Sequence, residues 1–424
     1  MNVAEGPPGT RSGPVRVMVL SRCTSSYGPS RGGADVLAQR HAIVLVHHGF
    51  NVVYVGTSPL GDPRIENVVV RTVDLAAPSA SGELGRSIAY YLNEGGHVLQ
   101  AALAGLKLCR RDQVDVAISN SSIATLLLKA LGRSQPVVHY IHDGLQTRTS
   151  GSSERRSFSR YLVNYLLEKL AIRWADQVIC ASDRIADQAM GVGASRSKLT
   201  VMYPFLSGSC SEDAETPGRT PAAIPAETIE GLRPYLLMVG QQTGRKRFDL
   251  VFRALTRLPK FLRLVAVGDG PMHPAYREEA DRLGLTHRVT FLSNVSDESR
   301  DLLYESCAAY VLASENEGFP ITVAEALSHG RPVALICPST AELGNVFVHP
   351  FLRLSTELTE DAVAETVMQA MAAEAEYTAP HRGVREWAGV RFPTEEQVQR
   401  EYRRIIYGLV EARGRASATA VPAR

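Results

Sequence analysis

The sequence has no long hydrophobic run, few cysteines and almost no excess of charge of either sign. No apolar run approaches the ~18 residues that a membrane-spanning helix needs, so no integral membrane segment is expected. The stretch from Met1 to Pro14 is polar and rich in Gly and Pro, without the apolar core of a signal peptide. These two absences lead us to expect a cytoplasmic protein.

The charge balance argues against nucleic acid as a partner. The 424 residues include 46 Lys and Arg against 44 Asp and Glu, a formal net charge of +2. A protein that attracts nucleic acid through its overall electrostatic field carries a clear excess of Lys and Arg over Asp and Glu.

Cysteine and metal-binding patterns are also scarce. The six cysteines are scattered and none forms a Cys-x-x-Cys pair, so no metal site is expected and the cysteines should be reduced. Asp-x-Asp, His-Glu-x-x-His and Gly-x-x-x-x-Gly-Lys-Ser/Thr patterns are missing too. This argues against a divalent metal that clamps a diphosphate and against a P-loop enzyme.

What is present is an alternation of short β-rich runs with longer helical patterns, which predicts parallel sheets covered on both faces. The alternation stops near residue 207 and restarts near residue 231. The predicted fold class is α/β, with two Rossmann-like domains facing a central cleft. The predicted strands are Val15–Leu20, Asn51–Val55, Val114–Ser119, Pro136–Ile141, Gln177–Cys180, Leu199–Met202, Tyr235–Val239, Leu262–Val267, Arg288–Leu292, Ala309–Ala313 and Pro332–Ile336.

The predicted domain boundaries follow from this texture. Residues 1–14 are expected to be disordered, 15–206 to form the N-terminal domain, and 207–230 to be a linker or insertion rich in Ser, Thr, Pro and Glu. Residues 231–393 form the predicted C-terminal domain. A long amphipathic helix over 394–412 follows, and 413–424 are expected to be disordered.

The most informative segment runs from Glu317 to Glu325, with the sequence Glu-Gly-Phe-Pro-Ile-Thr-Val-Ala-Glu. Its turn places Glu317 after a strand and Glu325 in the first turns of a helix. Free N–H groups at a helix start attract phosphate, and nearby carboxylates accept hydrogen bonds from sugar hydroxyls. A ligand with a diphosphate between two polyols, such as a nucleotide sugar, fits this combination.

This segment and Gly330-Arg-Pro-Val333 resemble the donor-binding signature of retaining GT-B glycosyltransferases of family 4. Further matches in the same order extend the resemblance from about residue 15 to 411: Gly32-Gly33, His142-Asp143, Ala175-Asp176 with Val178–Ser182, Tyr203-Pro204, Gly240 with Lys246, and Gly268–Pro271. The resemblance implies GT-B architecture, with the last helix crossing back to the N-terminal domain. It also implies front-face transfer with retention of configuration.

The resemblance assigns roles to individual residues. Glu325 would hold the ribose hydroxyls and Glu317 the donor sugar, assisted by backbone N–H groups of Phe319, Pro320, Ile321 and Thr322. Gly318 would also belong to the donor-binding residues. Lys246, with Arg245 as a further cation, and the loops at Gly240 and at Gly32 and Gly33 would stabilise the leaving diphosphate. His142 and Asp143 would face the donor sugar or acceptor, and backbone near Val295 would read the nucleobase.

The chain departs from the family pattern at several positions. Gln241 stands where the family has Arg, Arg247 replaces a Gly, and Asp35 replaces a Glu. Pro320 and Thr322 replace the Gly and Pro of the commonest version of the signature. Gly268 to Pro271 is expected to be a structural turn.

The expected donor is UDP- or GDP-linked and no cofactor besides this co-substrate is expected. The acceptor is expected to be a small molecule, lipid or glycan, bound by loops near Thr24–Arg31, Asp62–Glu66 and Leu145–Ser157.

The helical pattern Glu154–Leu170 is interpreted as a surface helix with Leu and Tyr packed inward; contact with a membrane surface is the alternative. Other functional classes that stay open are a nucleotide-sugar epimerase, a phosphorylase and a non-catalytic binding subunit. The high content of Ala, Arg and Gly indicates a bacterial source.

Overall fold

The computed structural model describes residues 14–21, 33–56, 60–69, 98–111, 113–132, 135–142, 158–205, 222–338, 349–375 and 380–419. Two parallel sheets organise these residues. The predicted fold class is confirmed, because each sheet is built from buried, β-branched runs joined by helices.

The N-terminal sheet has seven strands in the order β3-β2-β1-β4-β5-β6-β7. All neighbouring pairs are parallel. The strands are β1 (Arg16–Leu20), β2 (Asn51–Gly56), β3 (Ile65–Val69), β4 (Val116–Ser119), β5 (Val137–Ile141), β6 (Gln177–Cys180) and β7 (Leu199–Val201).

The C-terminal sheet has six strands in the order β10-β9-β8-β11-β12-β13, also all parallel. The strands are β8 (Tyr235–Val239), β9 (Arg263–Val267), β10 (Val289–Leu292), β11 (Ala309–Ala313), β12 (Val333–Ile336) and β13 (Leu352–Ser355). The order reverses between β8 and β11, so the loops after these two strands diverge and leave a crevice, the usual ligand site of such sheets.

Helices connect the strands and cover both sheets. They are α1 (Gly33–His47), α2 (98–110), α3 (Ser122–Leu131), α4 (Phe158–Trp174), α5 (Asp183–Gly191), α6 (Ala226–Gly231), α7 (Phe248–Leu255), α8 (His273–Arg282), α9 (Asp297–Ser306), α10 (Ile321–Ser328), α11 (Glu360–Ala375), α12 (Pro380–Arg391) and α13 (Glu395–Thr419), with short 3-10 turns at Arg196–Lys198 and Gly244–Lys246.

The last helix, α13, returns to the N-terminal domain as predicted. Tyr402 is fully buried, and Arg403 and Arg404 donate to the His48 carbonyl at 3.4 Å and to Thr200 Oγ1 at 3.2 Å. The helix is longer than predicted, because it continues to Thr419 and includes residues expected to be disordered. Ala and Arg are strong helix formers, and an ion pair joins Glu411, near the end of the predicted helix, to Arg415 in the extension.

The predicted linker is also partly ordered. Ala226–Gly231 form α6, and Ile229 is buried in the hydrophobic core. Ala222 makes an isolated parallel bridge with Val295. The remainder of the predicted linker, up to residue 221, lies outside the described residues, as do 1–13 and 420–424.

The surface helix α4 differs from the interpretation of its leucines. Leu162, Leu166 and Leu170 recur every four residues, yet each is more than 40% exposed, and Trp174 at the end of the same stripe is 50% exposed. The face of α4 that packs inward instead includes Ala171 and Ile172, which are fully buried. In the described part of the chain, no helix has the length and apolar character to cross a bilayer.

Candidate active site

Most predicted site residues of the C-terminal domain gather at the carboxyl ends of β8 and β11, whereas Val295 follows β10. Gly240 follows β8, and the 3-10 turn Gly244–Lys246 follows Gly240. The loop 314–320 follows β11 and carries Glu317 into the crevice before α10 begins at Ile321. Strand ends and loops therefore bring residues about seventy positions apart into contact.

Glu317 is the centre of a buried ion cluster. Its side chain is only 7% exposed, and its Oε1 accepts from Lys246 Nζ at 2.8 Å and from Arg245 Nη1 at 3.2 Å. Arg245 also lies 3.4 Å from Ser314 Oγ and donates to the Asn316 carbonyl. Arg245 and Lys246 thus both place positive charge on the same carboxylate oxygen.

The charge state of Glu317 is set by two opposing effects. Burial alone raises the pKa of a carboxyl group. The charges of Lys246 and Arg245 outweigh burial and lower the pKa of Glu317 to about 2. Glu317 is therefore ionised at neutral pH and can only accept hydrogen bonds.

Glycines make room for the Lys246 turn. A Cβ atom on Gly240 would lie 4.0 Å from Lys246 Cε, so the lysine stem runs directly over this residue. A Cβ atom on Gly268 would lie 2.1 Å from the Gly240 carbonyl oxygen, and Gly268 has φ of +130°. Gln242 ties the two loops together by donating to the Gly268 carbonyl at 2.9 Å. The structure thus gives Gly268 a close-packing role.

Glu325 lies in the second turn of α10, with its own set of partners. Tyr304 Oη donates to Glu325 Oε2 at 3.0 Å, and Arg40 Nη2 lies 3.5 Å from Oε1. Burial and then the Glu325 charge raise the pKa of Tyr304 well above its ordinary value, so its hydroxyl keeps the proton that it donates. Arg300 adds a third charge: burial lowers its pKa, but Glu325 and Asp297 outweigh burial and raise it.

The segment between the two carboxylates is packed rather than loose. Phe319 lies between the rings of Tyr203 and Phe392, with centroids at 5.6 and 6.1 Å. Thr322 Oγ1 lies 2.6 Å from Tyr310 Oη. Pro320 precedes the first residue of α10 and has no N–H, so it cannot be one of the backbone donors expected there.

Val295 is held by a backbone bridge. Ala222 N–H donates to the Asn294 carbonyl at 2.7 Å, and Ser296 N–H donates to the Ala222 carbonyl at 3.1 Å. In such a pairing the bridged residue points its own N–H and C=O to the other side. Val295 therefore turns its backbone groups away from Ala222.

His142 directly follows β5 and belongs to an aromatic cluster of the N-terminal domain. Its ring stacks on Tyr140 at 4.3 Å and lies 6.5 Å from that of His41. His41 in turn contacts Tyr402 of α13 at 5.4 Å. Burial, followed by the charges of His142 and Arg40, lowers the pKa of His41 well below its ordinary value. His41 is therefore neutral at pH 7.

The N-terminal domain also reaches the Glu317 loop. Arg184 Nη1 donates to the Glu317 carbonyl at 2.9 Å and lies 3.4 Å from Asn316 Oδ1, and Ser182 Oγ donates to the Gly318 carbonyl at 3.3 Å. Sequence reasoning missed Arg40, Arg184 and Tyr304, because ordinary Arg and Tyr positions on helices carry no motif. The match at Val178–Ser182 was the nearest signal, two residues before Arg184.

Some of the other predicted site residues lie partly or wholly outside the residues that the structure describes. Gly33 is the first residue of α1, whereas Gly32, Asp143 and the loops at 24–31 and 145–157 lie outside the described residues. The side chain of Asp35 is likewise outside them. Asp62 is described, and its carboxylate accepts from the Arg64 side chain and backbone N–H; Asp62 is 4% exposed.

Comparison with known proteins agrees with this geometry. A family model described as Glycosyltransferase Family 4 matches residues 31–207, and one described as Glycosyl transferases group 1 matches residues 221–374. The two matched ranges together span most of the chain.

Curated relatives match over part of their length. A D-inositol 3-phosphate glycosyltransferase of Mycobacterium sp. (strain KMS) is 28% identical over 203 residues, 47% of this chain and 45% of the relative. An uncharacterized glycosyltransferase of Methanocaldococcus jannaschii is 33% identical over 105 residues, 24% of this chain and 26% of the relative. The chain thus spans about half or less of the length of the curated relatives it matches.

Solved structures match over nearly the whole chain. Anabaena Alr3699/HepE in complex with UDP-glucose has a TM-score of 0.66 at 16% identity, covering 93% of this chain and 99% of that one. Sucrose-phosphate synthase from Thermosynechococcus elongatus has a TM-score of 0.68 at 15% identity, covering 94% and 100%. At this identity the similarity shows the fold, which is GT-B. With the two family matches and the signature residues in place, the chain belongs to the family 4, or group 1, glycosyltransferases.

Proposed function

We propose that the protein transfers a glycosyl group from a nucleoside-diphosphate sugar to an acceptor. The observation that carries this proposal is the buried Glu317 carboxylate, kept ionised by Lys246 and Arg245 in the crevice between β8 and β11. An ionised carboxylate accepts hydrogen bonds from sugar hydroxyls, and cations beside it stabilise a leaving diphosphate. Family membership supports the same activity.

The donor would lie along the crevice with its nucleoside near α10. Glu325, oriented by Tyr304, would accept from the ribose hydroxyls, and the backbone of Val295 would face the base. Lys246 would turn from Glu317 toward the diphosphate, leaving the carboxylate to the sugar. Gly33 at the start of α1, with the neighbouring Gly32, would approach the diphosphate from the N-terminal domain.

We propose that these cations serve in place of a divalent metal and that no cofactor besides the nucleotide sugar is needed. Glu317 forms ion pairs with Lys246 and Arg245, and Glu325 forms one with Arg40. Turnover is expected to persist in excess EDTA. If chelation abolishes turnover and magnesium or manganese restores it, the metal-independent proposal is wrong.

We propose retention of anomeric configuration by front-face attack, in which the acceptor approaches from the side of the leaving diphosphate. Lys246 would then stabilise the charge that builds on the β-phosphate, while His142 and Asp143 would face the sugar and the acceptor. Proton NMR of the first product formed from an α-linked donor tests this directly. An α-linked product supports retention, and a β-linked product refutes it.

The donor is proposed to be UDP-linked, with GDP-linked sugars second. The structural neighbour HepE was solved with UDP-glucose, which makes UDP-sugars the first donors to test. A panel of nucleotide sugars is screened by thermal shift, since a ligand at 100 times its Kd stabilises by about 2.7 kcal/mol. Slow hydrolysis to free sugar and nucleoside diphosphate supports a transferase. Formation of an epimer, dependence of turnover on inorganic phosphate, or binding without turnover would instead indicate an epimerase, a phosphorylase or a binding subunit.

The acceptor is proposed to be a small metabolite, a lipid or a polysaccharide of a bacterial cell. For a lipid acceptor, α4 is the surface that fits a membrane, because Leu162, Leu166 and Leu170 form an exposed stripe that ends at the exposed Trp174. Arg173 and Lys198 add positive charge at this end. Co-sedimentation with anionic vesicles, lost in Leu166→Ser, is expected; no binding to anionic vesicles would contradict this contact.

A further inference from the structure

The loop that carries Glu317 is held from two directions. Within its own domain, Lys246 and Arg245 bind the Glu317 carboxylate. From the N-terminal domain, Arg184 binds the backbone carbonyl of the same residue at 2.9 Å. The side chain and the backbone carbonyl of Glu317 are therefore bound by different domains.

Three contacts make the N-terminal hold specific to this loop. Arg184 also lies 3.4 Å from Asn316 Oδ1, Ser182 Oγ donates to the Gly318 carbonyl, and the Tyr203 ring contacts Phe319. The contacts thus cover four consecutive residues, 316–319. Arg184 is 9% exposed, so its charged hydrogen bonds are made away from bulk water. Such bonds are stronger than those between neutral groups.

The hydrogen bonds from the N-terminal domain, made by Ser182 and Arg184, arise from one short piece of chain. Ser182 ends the segment after β6 and accepts from Ile185 N–H as the N-cap of α5, which places Arg184 in the first turn. Helix α5 is thereby oriented with Arg184 toward the C-terminal domain. Asp187, one turn further along, lies on the exposed side of the same helix.

We propose that Arg184 is a positioning residue for donor-sugar recognition. It acts through the backbone of Glu317 and makes the orientation of this carboxylate depend on the N-terminal domain. This inference rests on the proposed function, since it assigns the Glu317 carboxylate to the sugar. Glu325 and Tyr304, which would bind the ribose, lie on other elements, α10 and α9, so we expect nucleoside diphosphate binding to depend little on Arg184.

The test compares Arg184→Met, Arg184→Lys and the matched control Asp187→Ala. In Arg184→Met, kcat/KM for the nucleotide sugar is expected to fall about ten- to hundredfold, the effect of losing a charged hydrogen bond. The Kd of the nucleoside diphosphate without sugar is expected to stay within about twofold. Arg184→Lys keeps a cationic donor and is expected to retain more activity than Arg184→Met, and Asp187→Ala is expected to match the wild type.

A second measurement needs no donor. Hydrogen exchange in residues 314–320 of the ligand-free protein is expected to be faster in Arg184→Met than in the wild type or Asp187→Ala. Unchanged exchange in this loop overturns the inference, whatever the donor results. Equal losses of nucleoside diphosphate and nucleotide-sugar binding also overturn it, because they indicate a general structural defect. Failure of the wild type to turn over any nucleotide sugar would instead refute the proposed function.

Discussion

Lys246→Met tests whether the cation on Glu317 serves the chemical step. The substitution keeps most of the side-chain length and removes the charge that lies 2.8 Å from Glu317 Oε1. If Lys246 stabilises charge building on the leaving diphosphate, it interacts more strongly in the transition state than with the bound donor. Loss of one such group lowers kcat by roughly 10²–10³.

The structure also bounds the effect of this change on stability. Removing one partner of a buried ion pair costs about 3–5 kcal/mol when the other charge is left alone. Arg245 remains on the same oxygen at 3.2 Å, so Glu317 keeps one cation. We therefore expect the free energy of unfolding to fall by only about 2 kcal/mol. The variant should fold, and the pKa of its Glu317 carboxyl should rise from about 2 toward the ordinary value.

The assay is hydrolysis or transfer from a nucleotide sugar, with kcat and KM determined separately. Arg247→Met is the matched control: it removes a neighbouring positive charge that pairs with Asp249 rather than Glu317. The double variant Arg245→Met/Lys246→Met is expected to be slower than Lys246→Met alone. A rise in KM with unchanged kcat would show that Lys246 contributes uniform binding, and the leaving-group role would be wrong.

Three further predictions test the surroundings of this cluster. In calorimetry, Glu325→Ala is expected to weaken nucleoside diphosphate binding by ~1.5–3 kcal/mol, and Tyr304→Phe by ~0.5–1.5 kcal/mol. Equal Kd values for Glu325→Ala and the wild type would contradict the ribose-binding role of Glu325. Gly268→Ala is expected to destabilise the protein more than Gly284→Ala, because both have positive φ but only the first places Cβ against the Gly240 carbonyl; equal melting temperatures would refute this. The low pKa of Glu317 stabilises the folded protein above about pH 4.5, and this stability is lost as the pH falls toward 2. Between pH 5 and pH 3 the free energy of unfolding, measured by urea titration, should therefore fall by about 2 kcal/mol more in the wild type than in Glu317→Gln. Equal losses in the two proteins would falsify the ionised, paired state of Glu317.

The sequence predicted eleven of the strands because buried parallel strands are continuous apolar runs. It missed β3 and β13, which lie at sheet edges. The β3 sequence, Ile65-Glu-Asn-Val-Val69, has one buried residue, and β13 alternates Leu with Arg and Ser. Each contains a charged residue, Glu66 or Arg353, so its pattern resembles a loop, whereas the other two edge strands, β7 and β10, contain none and were predicted. The exposed leucines of α4 were misassigned for a related reason: helical periodicity shows that a stripe exists, but not which neighbouring element covers it.

At the site, the sequence could identify residues whose spacing is local and could not identify their distant partners. Glu317 and Glu325 are eight positions apart, and the loop after β8 carries Lys246 within a recognisable glycine pattern. Arg40 and Arg184 are 285 and 133 positions away from the residues they contact. Nothing in the local sequence distinguishes them from the other Arg residues on helix surfaces. Because these two arginines come from the opposite domain, the arrangement of the two domains adds contacts to Glu325 and to the Glu317 backbone that no local motif could predict.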